Sequence, residues 1–417
     1  MIQRLSPRRI GGRFCAVVSK SHAQRALLCA ALADRPTTYV FCGALPQDVE
    51  AMLRCLSALG AEVTHGQNAV TVRPPELPRG DITLDCGESG ATLRFLLPVA
   101  AALGVSAEFV LHGRLAERPI DTLLSLLNAN GCTVVKTGER ITCEGRLRSG
   151  VFVLPGNISS QYVSGLLFAL PLLPGNSEIR LTSAPESEGY IAMTLEMLER
   201  FSVRVTKTAS GWYIPGGQQY HSCGRITAEG DWSAASMFFC AGAFSAPVVY
   251  EGLPDATMQP DRRLPELLRE FGAEVSFDGI LWHVNPARLR GICIDAGGTP
   301  DLVPALALTA TAAEGETRIF GAARLRYKES DRLRSICEVL TRLGASVRQT
   351  DDGLCIVGSP LSGGEVDPQN DHRIAMLTGV ASARCAQSVS VRRSECAAKS
   401  YPDFWRDLKQ NSREREP

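Results

Sequence analysis

A leucine-rich helix end, a turn and a short strand recur along this chain at a nearly constant interval, and no other feature limits its fold as strongly. The unit ends in Gly60-Ala61-Glu62-Val63 and again in Gly272-Ala273-Glu274-Val275, each after an apolar, amphipathic run. Weaker copies turn at Gly131, Ser202 and Gly344, so the turns at 60, 131, 202, 272 and 344 are spaced by 71, 71, 70 and 72 residues. Glycine suits such a turn because a left-handed backbone after a helix costs it nothing. The alternating residues that follow read as a strand.

A second family of helices runs out of phase with the first. Its N-terminal ends fall near Ser21, Gly90, Ser159, Ser233, Asp301 and His372, and each opens an apolar stretch with no polar face, which marks a buried helix. Six starts predict six units of roughly βαββαβ form, three to a domain. The chain is therefore expected to be an α/β protein of two similar domains. The sixth unit ends after Leu408 without its final strand, so the N-terminal segment is expected to supply it. This places residues 14–228 in one domain and residues 1–13 with 229–409 in the other. Residues 410–417, charged and without periodicity, are expected to be a disordered tail.

Composition narrows the function. Lysine plus arginine (44) equals aspartate plus glutamate (44), so no bulk field recruits nucleic acid or an anionic membrane, and any anion must be held by local basic clusters. The 14 cysteines are scattered without a Cys-x-x-Cys pair, which argues against a zinc site or a disulfide framework and for a reducing, cytoplasmic setting. Neither a metal nor an organic cofactor is indicated. The longest uncharged stretch, 151–177, is interrupted by prolines and polar residues, so no membrane span is expected.

The densest polar clusters coincide with the starts of the buried helices, where free N–H groups and the helix dipole favour anions. The first is Ser19-Lys20-Ser21 with Arg25, the second Glu88-Ser89-Gly90 with Arg94, and the third Ser159-Ser160-Gln161. In the second half, Asp301 is followed by the charged run Arg326-Tyr327-Lys328-Glu329-Ser330-Asp331-Arg332. After it come Asp371-His372-Arg373 and Lys399 before Tyr401-Pro402. Each alone reads as a cap with a solvated turn, but recurrence at equivalent positions points to a shared site.

With Glu117-Arg118-Pro119, Ser187 with Tyr190, and Glu229-Gly230-Asp231 added, this string resembles, in order from Lys20 to Lys399, the 3-phosphoshikimate 1-carboxyvinyltransferases, or EPSP synthases, of the enolpyruvyl transferase family. The resemblance implies two inside-out α/β barrels joined by a two-stranded hinge. It also implies transfer of the enolpyruvyl group of phosphoenolpyruvate to the 5-hydroxyl of shikimate 3-phosphate, a step of aromatic amino acid biosynthesis, and a glyphosate target. It implies that shikimate 3-phosphate is held by Lys20, Ser21, Arg25, Ser159, Ser160, Gln161, Ser187, Asp301 and Lys328. Phosphoenolpyruvate would meet Lys20, Gly90, Arg118, Gln161, Arg332, Arg373 and Lys399. Two phosphorylated substrates suit forked arginines and point-charge lysines.

The addition and elimination that such a transfer needs give Asp301 the part of base at the hydroxyl and Glu329 that of acid and base at C3. Lys20 then serves the leaving phosphate. The protein is expected to act as a monomer on these small molecules, with no nucleic acid or membrane partner. The loop 88–95 departs from the family's Asn-Ala-Gly-Thr-Ala-Met-Arg-Pro and keeps only its glycine and arginine in register. Two alternatives share the fold: a UDP-N-acetylglucosamine enolpyruvyl transferase, whose loop cysteine is missing from 110–119, and a catalytically dead binding module.

Overall fold

The computed structural model describes residues 1–75 and 81–414. The chain separates into two compact units, residues 20–228 and residues 1–19 with 229 onward.

In the unit 20–228, three four-stranded sheets repeat one plan. In the middle one, Ile82–Asp85 and Ala107–Val110 run parallel, and Arg140–Gly145 and Cys132–Thr137 follow antiparallel. A parallel pair needs a crossover, and the buried helix Gly90–Leu103 supplies it. The helix Asp121–Ala129 then returns the chain, and a tight turn joins the last two strands. The order is thus strand, helix, strand, helix, strand, strand. It differs from the expected βαββαβ because the hairpin, which needs only a short turn, closes the unit instead of interrupting it.

The flanking sheets are built alike around the helices Lys20–Leu32 and Ser160–Ala169. The first borrows its outer strand, Arg225–Thr227, from the end of the unit.

Two sheets of the other unit repeat the plan around Trp232–Phe244 and Val303–Ala310, and a three-stranded sheet accompanies His372–Ala381. Gly12–Cys15 runs parallel to Val248–Glu251, and the Ser19 amide donates to the Glu229 carbonyl at 2.8 Å. Residues 14–19 therefore belong with this unit and not with the one that begins at Lys20. Ile2–Leu5 pairs antiparallel with Val389–Arg392, so the start of the chain completes the sixth sheet. The expectation of a disordered tail from residue 410 is overturned as far as Glu414. Ser412–Glu414 pairs antiparallel with Arg8–Ile10, where backbone hydrogen bonding to a distant strand outweighs the tail's weak side-chain pattern. Residues 415–417 lie outside the described residues.

The six apolar helices start at Lys20, Gly90, Ser160, Trp232, Val303 and His372. Ser89, Ser159, Asp231 and Asp371 cap four of them through side-chain acceptors. Gly60, Gly131, Gly272 and Gly344 have φ between +96° and +104°, as the turns of the repeat demand. Ser202 adopts the same left-handed region at φ 62°, so the repeat imposes its geometry where the residue type opposes it.

Two crossing helices share a particular approach. Pro98 cannot donate to the carbonyl of Arg94, and the Cα of Gly165 lies so near that carbonyl that a Cβ there would be 2.1 Å from its oxygen. The close crossing brings the heads of Gly90–Leu103 and Ser160–Ala169 side by side. Among the described residues no helix is long and apolar enough to cross a membrane.

Candidate active site

In the unit 20–228 the polar residues at the helix heads are tied to one another. Gln24, a turn into the first helix, donates to the hydroxyl of Ser89 at 2.9 Å and to the Asp48 carbonyl at 3.1 Å. Lys20 Nζ lies 2.9 Å from Asp48 Oδ2. Arg25 is buried, and its three nitrogens donate to Thr194, the Ser21 carbonyl and the Tyr190 carbonyl at 2.8–2.9 Å. It also lies over the Phe95 ring, 5.1 Å from the centroid. Burial lowers its pKa to about 10, which still leaves it charged at neutral pH.

Arg94 donates to Gln161 Oε1 at 2.9 Å and to the Pro119 carbonyl at 3.0 Å, which links the second helix to the third and to the loop that carries Arg118. The Cα of Gly90 faces this pair of arginines. A Cβ there would fall 2.5 Å from Arg94 Nη1 and 2.8 Å from Arg118 Nη1. Ser159 caps the third helix through the Gln161 amide, and Ser160 lies in its first turn. Ser187 is buried and holds a left-handed φ of 55° at the head of Glu188–Arg200, next to Tyr190.

In the other unit one guanidinium organises the site. Arg332, 1% exposed, begins the helix Arg332–Arg342. Its Nε donates to Asp371 at 2.8 Å, Nη1 to Asp301 at 2.7 Å and Nη2 to Glu329 at 2.5 Å. Burial works against its charge, but Asp371, Glu329 and Asp301 raise its pKa above the ordinary arginine value. Asp301 also has Arg373 at 3.6 Å and Lys328 at 3.7 Å. Burial opposes ionisation of Asp301, yet Lys328, Arg373 and Arg332 outweigh it and hold the carboxyl well below the usual aspartate range.

Asp371 caps Arg373 through its backbone amide at 2.9 Å and accepts from Ser330 at 3.0 Å. Lys399 Nζ donates to the Asn370 carbonyl at 2.7 Å, beside the left-handed pair Gln369 and Asn370. Glu329, Asp371 and His372 bring ligand-type atoms within 4.8 Å of one another, although Arg332 already donates to both carboxylates.

The residues singled out in the sequence therefore fall into two groups. Lys20, Ser21, Arg25, Gly90, Arg118, Ser159, Ser160, Gln161 and Ser187 lie at the linked helix heads of one unit. In the other, Asp301, Lys328, Glu329, Arg332 and Arg373 share one charge cluster, with Lys399 held at Asn370. Gln24 and Thr194, which hold the first group in place, gave no signal in the sequence because a glutamine or threonine inside a helix is unremarkable there. Asp371 is the acidic member of a quoted motif, and its part as anchor of Arg332 required the fold.

The model of the EPSP synthase (3-phosphoshikimate 1-carboxyvinyltransferase) family matches residues 6–408. The chain belongs to this family. It is 38% identical over 401 residues to the 3-phosphoshikimate 1-carboxyvinyltransferase of Clostridium acetobutylicum, covering 94% of this chain and 93% of that one. The relative of the same name from Clostridium kluyveri is 36% identical, with 97% and 96% covered. Among solved structures, an EPSP synthase from Acinetobacter baumannii superposes with a TM-score of 0.81 at 24% identity over 98% of both chains. An enolpyruvyl transferase from Streptomyces tendae gives 0.79 at 19% identity, with 98% of this chain and 97% of that chain covered. Both share the enolpyruvyl transferase fold. As a member of the EPSP synthase family the chain is a transferase, and the nucleotide-sugar and binding-module alternatives find no support.

Proposed function

We propose that the residues above transfer the enolpyruvyl group of phosphoenolpyruvate to the 5-hydroxyl of shikimate 3-phosphate, releasing phosphate. The observation that carries this reading is the cluster of Asp301, Glu329 and Asp371 on the single guanidinium of Arg332, flanked by Lys328 and Arg373. It combines anion-binding cations with two carboxylates that can exchange protons.

The hydroxyl oxygen adds to C2 of the enol as its proton passes to Asp301, while C3 takes a proton from Glu329. The tetrahedral adduct then loses phosphate from C2 and a proton from C3, which returns to Glu329. Lys20 neutralises the departing phosphate, and the proton held by Asp301 passes to solvent, which restores the carboxylate. The cations are paired with the protein's own acids, Lys20 with Asp48 and Arg332 with three carboxylates. Anionic substrates draw these cations away, and the basicity of Asp301 rises towards the range in which it can accept a proton.

The test is phosphate release from phosphoenolpyruvate in the presence of either shikimate 3-phosphate or UDP-N-acetylglucosamine. Release is expected with the first alone. Release with the nucleotide sugar, or with neither, would refute the reading.

Gly90→Ala is expected to raise KM for phosphoenolpyruvate about tenfold or more while sparing the affinity for shikimate 3-phosphate. A methyl on the bare Cα would meet Arg94 and Arg118 and push those guanidiniums aside. Arg94 can give little, being held by Gln161 and the Pro119 carbonyl. Inhibition by glyphosate, longer than phosphoenolpyruvate, is expected to weaken further. Measuring both Michaelis constants, the inhibition constant and the melting temperature on one preparation decides the matter: lower stability with unchanged ligand discrimination would reduce Gly90 to a turn residue.

A further inference from the structure

Asp261 sits in the short 3-10 turn Pro260–Arg263, 1% exposed, in a stretch whose sequence reads as a charged surface turn. One carboxyl oxygen accepts a hydrogen bond from the Ser233 hydroxyl, and the other, Oδ1, is buried with no hydrogen-bond partner. Burial first, and the charge of Asp301 second, push this acid up to about 7, while the Ser233 hydrogen bond and Arg373 pull the other way. Ser233 is also the residue whose backbone carbonyl accepts from Arg373 Nη1 at 2.7 Å. On its other side Arg373 meets Asp301, Nη2 to Oδ2, at 3.6 Å. The guanidinium is thus set between the carbonyl of Ser233, a residue whose hydroxyl is bonded to Asp261 and whose carbonyl also accepts from the Ser236 hydroxyl at 2.7 Å, and the carboxylate of Asp301.

We propose that Asp261 is a positioning residue which, through Ser233, fixes Arg373 for the anionic group of phosphoenolpyruvate. The identity of that anion rests on the functional reading above; the geometry does not. A buried acid here has a second consequence. The charged or titratable groups facing it are Asp231 at the head of Trp232–Phe244, Asp301 and Arg373. As the pH rises through about 7 the proton leaves Asp261, and the new negative charge offsets the potential of Arg373 that attracts the substrate. KM for phosphoenolpyruvate should therefore climb on the alkaline side by about tenfold, the effect of one added charge a few ångströms away in a partly screened site.

Two substitutions separate position from charge. Asp261→Leu removes the acceptor of Ser233 and is expected to raise KM for phosphoenolpyruvate about tenfold over the parent's below about pH 7, where Asp261 is uncharged, with a smaller change in kcat. Asp261→Asn keeps an acceptor and removes the titration, so its KM should stay level from about pH 6 to 9 while the parent's rises. Comparison with the parent at each pH cancels the titration of the substrate itself. A KM in the leucine variant equal to the parent's at about pH 6, with only a lower melting temperature, overturns the proposal. So do superimposable pH profiles for the asparagine variant and the parent, which keeps the test available if the leucine variant does not fold. Turnover by the parent checks the functional reading separately. A crystal structure of either folded variant tests the positioning without turnover. Displacement of Arg373 from the Ser233 carbonyl in the leucine variant, or its retention in the asparagine variant, supports it; the reverse in either overturns it.

Discussion

Asp301→Asn and Glu329→Gln are each expected to lower kcat by roughly 10²–10⁴-fold while leaving substrate binding within about tenfold. Both changes keep nearly the shape of the side chain but replace one acceptor oxygen by an amide NH2, removing the negative charge together with the ability to hold and release a proton. For Asp301 the argument has a further step. Lys328, Arg373 and Arg332 overcome the burial that opposes its charge and hold it well below the ordinary aspartate range, so the resting carboxylate is a weak base. It becomes competent only when substrate anions compete for those three cations. The loss should therefore appear in single-turnover chemistry with both substrates bound, and much less in the affinity of either alone. Equal losses in binding and in turnover would show that the carboxylates merely orient substrate.

Arg332→Met is expected to destabilise the unit that contains it by about 3–5 kcal/mol, because removing one partner of a buried ion cluster leaves the others uncompensated. Here the single guanidinium serves three carboxylates at once, at 2.5–2.8 Å. Arg332→Lys should recover only part of the loss, since an ammonium cannot fork to three acceptors in one plane. The sign of the pH dependence follows from Asp301. Its folded pKa is depressed, so its contribution is fully present above the unfolded value near 3.9 and disappears as the pH falls through the lower folded value. Without Arg332 that depression shrinks. The gap in unfolding free energy between parent and variant should therefore be full at neutral pH and narrow in acid, below about pH 4. Urea unfolding across that range measures it, and a gap independent of pH would show that lost packing, not lost pairing, is responsible.

The difference between readable and hidden features is physical. Each of the six buried helices begins within two residues of the position read from the sequence, because serine and aspartate caps followed by unbroken apolar runs are local signals. The pairing of Ser412–Glu414 with Arg8–Ile10 was not readable, since its stabilisation comes from a strand about four hundred residues away. Asp261 was hidden for a similar reason. Between Pro260 and two arginines it looks solvated, and only the packing around Ser233 and Asp301 buries it. Arg94 was visible as a motif residue, but its grip on Gln161 depends on how closely Gly165 lets two helices cross.

By itself, then, the sequence determined the repeat, the number of buried helices, the family and the residue types gathered at the helix heads. All of these are written in spacing and in side-chain chemistry over a few turns. The tertiary structure alone decided which unit residues 14–19 join, which three carboxylates share Arg332, and that Asp261 is a buried acid behind Arg373. Those outcomes depend on contacts between residues far apart in the chain, where burial and the sum of neighbouring charges, not the identity of any one residue, set the energy.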